Sequence, residues 1–118
     1  METLFNEVLE LSEQIRYIAL YNDSTLTMKQ RGDIHNASSS ESDKYEEFLV
    51  NPTLIKLASQ RGNIDCGGLE YFVIRYGNFF VLLTPLKDGH INLGIELKQD
   101  PLLLVEPLKV LLKKYELL

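Results

Sequence analysis

At 118 residues the chain is long enough to bury one core without disulfides or metal, and too short for two ordinary domains. Apolar residues at 45% and charged residues at 25% exclude a disordered chain, and a net charge of −5 with no basic stripe argues against nucleic acid or an anionic membrane surface as partner. The one cysteine, Cys66, cannot build a disulfide framework or a thiolate zinc site, which fits a reducing cytoplasm.

Met1–Gln14 reads as a helix, because Leu4, Val8, Leu11 and Ile15 recur at steps of three and four, with Thr3 as its N-cap. The same stretch carries Glu2, Glu7 and Glu10 and no basic lead, so no signal peptide is expected. Nor does any apolar run approach the roughly 20 residues that cross a bilayer, so a soluble, cytoplasmic protein is expected. "IRYIALY" (Ile15–Tyr21) and "TLTMKQ" (Thr25–Gln30) flank "NDS" as a hairpin, β1–β2. Arg31–Ser42 is polar and reads as a loop or a ragged end of β2.

Residues 43–61 form a central helix that Asn51-Pro52 interrupts, with asparagine as N-cap and proline at N1 of a restarted helix ending at Gly62. Leu54, Ile55, Leu57 and Ala58 spread apolar surface around most of its second half, more than a stripe resting on one sheet face requires. "LEYFVIRY", "FFVLLTPLK" and "HINLGIELK" then make a meander, β3–β5, turning at Gly77-Asn78 (type II′) and Asp88-Gly89 (type I′). The final helix opens with Asp100 as N-cap and Pro101 at N1. It is apolar over more than half its girth and so is expected to be deeply buried, with Pro107 marking a kink or a late start.

Those turns place Leu69, Tyr71, Val73, Phe80, Leu82, Leu86, Ile91, Leu93, Ile95 and Leu97 on one sheet face. The other face carries Phe72, Ile74, Tyr76, Phe79, Val81 and Leu83, and turns polar on β5 at Asn92, Gly94 and Glu96. A sheet apolar on both faces needs two covers. The first and last helices cover one, and the central helix covers the β3–β4 side of the other. The two turns ask opposite hydrogen-bonding directions of β4, which predicts a bulge at Pro85 or a wider second turn.

The order α-β-β-α-β-β-β-α, with its apolar final helix, resembles the Roadblock/LC7 domain, a profilin-like α+β fold with a five-stranded antiparallel sheet, over nearly the whole chain as a single domain of residues 1–118. "NPTLIKLASQRGNIDCGGLEYFVIRYGNFF" is also similar to a set of small uncharacterised archaeal proteins. The glycine-free turn "NDST" and the long loop Arg31–Ser42 depart from the Roadblock pattern. The resemblance implies a non-catalytic homodimer in which the central helix packs antiparallel on its twin and β3 edges meet. It also implies docking of a small Ras-like GTPase or service as an assembly platform. On these positions it places Phe48, Leu54, Ile55, Ala58, Tyr71 and Val73 in the dimer interface. The residues agree on one point by themselves, since an apolar edge strand such as β3 invites pairing.

The acidic cluster Asp43, Glu46 and Glu47 suits a helix N-terminus and, as the rival reading, a partner-docking patch. His35 and His90 sit in no cluster with metal-ligand spacing, and Cys66 beside Gly67-Gly68 has no evident base. Neither a metal, a cofactor nor an enzyme activity is therefore expected. Arg31-Gly32-Asp33 spells an adhesion tripeptide, and Asn22-Asp23-Ser24 and Asn36-Ala37-Ser38 match glycosylation acceptors. Without a signal peptide these read as coincidences. The alternative function is a small-molecule sensor of the PAS/GAF kind, which needs a hollow core that these Phe, Leu and Ile faces do not suggest.

Overall fold

A computed structural model of the chain describes residues 1–32 and 41–118. Most of the Arg31–Ser42 loop, His35, Asp33 of the adhesion tripeptide and Asn36-Ala37-Ser38 lie outside the described residues.

Helix α1 (Glu2–Glu10) buries Leu4, Phe5 and Val8, the positions its periodicity selects. It starts from Met1, so Thr3 sits within its first turn instead of capping it. The hairpin β1 (Ile15–Asn22) and β2 (Thr25–Gln30) pairs Asn22 with Thr25 and leaves Asp23-Ser24 as its two-residue turn. Both turn residues carry positive φ, 51° and 65°, as a type I′ hairpin demands. Aspartate tolerates that left-handed region; serine does so at a cost of about 1 kcal/mol. Ser24→Gly is therefore expected to raise the unfolding free energy by about 1 kcal/mol, read as a higher thermal midpoint.

The remaining strands are β3 (Phe72–Arg75), β4 (Phe80–Leu86) and β5 (Gly89–Ile95). All five form one antiparallel sheet in the order β2-β1-β5-β4-β3, so β5 is central and β2 and β3 are the edges. The conflict over β4 resolves at the second turn. Leu86 pairs with Gly89, so the turn is Lys87-Asp88, and β4 needs no bulge at Pro85. Relative to the expected Lys87–His90 pairing, the register slips by two residues, which leaves the paired side chains of β4 and β5 on their predicted faces. The irregularity lies instead in β1, between Ile15 and Tyr17. Gly77 and Gly89 lack positive φ, so neither turn has the primed geometry expected of it. What Gly89 supplies is clearance: a Cβ there would stand 1.8 Å from the Tyr21 carbonyl oxygen.

On one face, Ile18, Leu20, Leu82, Ile91, Leu93 and Ile95 join Leu4, Phe5 and Val8 of α1 in the main core. Leu104, Leu108 and Leu112 complete it from the C-terminal segment. That segment begins as a 3-10 turn (Pro101–Leu104), capped by Asp100 Oδ1 accepting from the Leu102 N–H at 3.0 Å. Helix α4 (Val105–Lys114) follows, so Pro107 falls in its first turn, where no hydrogen bond is lost: the late start, not a kink. Its burial is less complete than expected, because Leu102, Leu103 and Val110 face outward.

The central helix comprises α2 (Glu41–Tyr45), a π-helical turn (Glu46–Val50) and α3 (Asn51–Asp65), end to end. Asn51 is helical, at φ −66° and ψ −46°, and does not cap a restart. Proline at 52 cannot donate to the carbonyl four residues back and crowds it. The ladder widens just before it, and the Asn51 N–H reaches back to the Glu46 carbonyl. Gly62 is likewise not the terminator. It is buried within α3, where the backbone at Gly68 passes 3.2 Å from the position of a Cβ, and the reversal comes at Gly67 and Gly68, with φ of 80° and 90°. The helix crosses the sheet obliquely, from Tyr21 of β1 beside Phe48, over His90 and Asn92 of β5, to the lead into β3 at Gly62. It lies on the face opposite the main core, where Ala19, Val81 and Leu83 are fully buried. The sheet has a cover on each face.

Candidate interaction surface over a buried polar hub

The first half of the central helix is fastened to the sheet by polar contacts. The Glu47 side chain is 1% exposed and turned into the sheet. Its Oε1 lies 2.8 Å from Nε2 of His90 and accepts from Nδ2 of Asn51 at 3.0 Å; its Oε2 accepts from Nδ2 of Asn92 at 2.7 Å. His90 stacks on Tyr21 at 5.6 Å, and Tyr21 meets the edge of Phe48 at the same separation. A buried carboxylate is tolerable only when its oxygens are bonded in this way. The π turn is what places Glu46 and Glu47 side by side above β5, with Asn51 one turn on.

Glu46 is less fully satisfied. Burial, then the neighbouring Glu47 charge and Asp43, push its carboxyl up to about 7, against a weaker opposing hydrogen bond from Asn92. Burial and the same carboxylates drive the Tyr17 phenol well above its ordinary range. The unfolded chain titrates Glu46 near 4.5, so the folded state favours the protonated form. The stability this contributes is full below about 4.5 and is lost as pH rises through about 7. Glu46→Gln is expected to flatten the fall in stability between about pH 5 and about pH 8, measured by urea unfolding across that range.

The acidic cluster therefore divides. Glu47 is committed to the sheet and offers no partner a free oxygen, Glu46 is half-buried on the hub, and Asp43 is half-buried one turn earlier. His90 proves to be a structural partner of Glu47. Its separation of 43 residues from that carboxylate hid the pairing, although Asn92 on a polar strip of β5 pointed to something polar above it. Cys66 is exposed, with its Sγ 3.2 Å from an Asp65 oxygen and 3.3 Å from an Arg61 nitrogen. Arg31 of the adhesion tripeptide is spent inside the fold, donating to the carbonyls of Ile15, Leu9 and Ser12. Among the described residues no group of three or more His, Cys, Asp or Glu could hold a metal, and no helix is long and apolar enough to cross a membrane.

The outer surface is a different matter. Of the expected interface residues, Phe48 is 52% exposed, Tyr71 38% and Val73 36%, while Leu54, Ile55 and Ala58 are half-buried beneath α3. The apolar side chains left bare on α3 are Leu57 and Ile64, at 61% and 76%, seven residues apart and so on one face. The sequence placed Leu57 in the apolar group without setting it apart, and Ile64 lay beyond the expected helix end. The edge of β3 is open as well. The Tyr76 N–H bonds the Phe79 carbonyl across the first turn, so by alternation the N–H groups of Val73 and Arg75 point away from β4. No protein-family model matches the chain, and no curated protein matches it.

Proposed function

We propose that this protein is a non-catalytic interaction module that works as a homodimer, joined through the outer face of α3 and the edge of β3. The observation that carries this reading is that the chain leaves two surfaces unsatisfied, one apolar and one of backbone. Leu57 and Ile64 leave large apolar side chains in water, and β3, an edge strand, leaves backbone donors and acceptors unpaired. A second copy satisfies both at once, helix against helix and strand against strand. The element order and the covers on both sheet faces support a Roadblock/LC7-like, profilin-like topology, and on that reading the dimer scaffolds or regulates a small Ras-like GTPase in the cytoplasm.

Light scattering on the purified chain tests the association. The double variant Leu57→Asp/Ile64→Asp is expected to halve the mass without altering the far-ultraviolet circular dichroism. A wild-type chain that stays monomeric at tens of micromolar counts against the reading. The GTPase is tested separately, by whether the immobilised dimer captures a small GTPase whose amount changes with the bound nucleotide. The sensor alternative finds little space beneath the central helix, where Val81 and Leu83 are fully buried, and draws its support from a cavity on the other face.

A further inference from the structure

On the α4 side of the sheet, between α4 and the chain leading into β3, lies a cavity of about 270 Å³. Leu69, Tyr71, Val105, Leu108 and Leu112 give it an apolar wall. Lys109 and Lys113, one turn apart on α4, line it as well, together with Glu70. Lys109 sits 3.4 Å from a Glu70 oxygen, and Lys113 has no ion pair among the described residues. An apolar hollow with two lysines in its lining, in a chain of net charge −5, selects a ligand with the opposite plan.

We propose that this cavity binds a small anionic amphiphile, a free medium-chain carboxylate. Its tail fills the apolar hollow and its head lies between Lys109 and Lys113. At roughly 30 Å³ for a water-sized group, the volume has room for about nine such groups, so an eight-carbon chain is a probe of suitable size. The head takes the place of the Glu70 carboxylate on Lys109, so ligand and Glu70 compete. The site shares Tyr71 with the expected dimer surface, but its ligand chemistry does not require the chain to self-associate.

The probe is octanoate, titrated into the full chain and followed by the methyl resonances of Leu108 and Leu112. Saturable shifts at these methyls are expected, with binding at least about tenfold weaker for octan-1-ol and for octylammonium. Lys113→Glu is expected to weaken octanoate by about tenfold, whereas Glu70→Gln strengthens it by relieving the competition. Both residues are exposed, so neither change threatens the fold. Equal binding of octanol and octanoate, shifts confined to the α3 surface, weaker binding by Glu70→Gln, or binding to anionic vesicles without binding of free octanoate would each overturn the assignment.

Discussion

Glu47→Ala is expected to lower the unfolding free energy by about 3–5 kcal/mol, because three buried donors lose their acceptor at once, at about 1–3 kcal/mol each. The substitution strips acceptors from His90, Asn51 and Asn92 together, and none of the three can turn to water, because all are buried. Glu47→Gln keeps the shape but aims an amide N–H₂ at donors, and about 2 kcal/mol is expected. Replacing Glu47, His90 and Asn92 together by leucine is expected to cost less than Glu47→Ala alone, since it removes two of the three stranded donors with the carboxylate and leaves only the Asn51 amide unpaired. Urea unfolding of the three variants measures all of this. A loss below about 1 kcal/mol for Glu47→Ala would mean that the hub does not hold the central helix down.

Gly89→Ala comes next in size. The new methyl would fall 1.8 Å from the Tyr21 carbonyl oxygen, and a backbone carbonyl fixed between β1 and β5 has nowhere to retreat. About 3 kcal/mol is expected, at the upper end of overpacking costs. Gly94→Ala offers a comparison within the same strand. Its methyl would meet the Tyr17 ring at 2.1 Å, but a side chain can swing, so a smaller loss is expected. A Gly94→Ala cost above that of Gly89→Ala would show that the hub pins Tyr17 more firmly than the β1–β5 ladder pins its carbonyl.

The layers were legible from hydrophobic alternation because alternation survives errors of register. The second turn was centred wrongly, yet a slip of two residues keeps Leu82, Leu93 and Ile95 on the core face. Helix boundaries were harder. Asn51-Pro52 carries the local signature of a restart, but the helix runs through it as a π turn, widened ahead of the proline, with the Asn51 amide donating to Glu47 one turn back. Gly62 looked like a terminator because glycine usually is one. Here it is needed for the close passage of Gly68 as the chain turns back at the helix end, and the helix runs three residues beyond it. The hub was hidden because it joins residues far apart in sequence. For the interaction surface, composition told that the second half of the helix was too apolar. Which side chains stay outside depended on the true helix end, and that end moved Ile64 onto the helix.

Amide exchange at β3 tests the association most directly. In a dimer joined through this edge, the outward N–H groups of Val73 and Arg75 are hydrogen-bonded across the junction. They are then expected to exchange as slowly as their neighbours Phe72 and Ile74, which face β4, and to lose that protection when Leu57→Asp/Ile64→Asp separates the copies. If Val73 and Arg75 exchange at the rate of open backbone in the wild-type chain, while Phe72 and Ile74 stay protected, then the edge is bare in solution and the proposed junction does not exist.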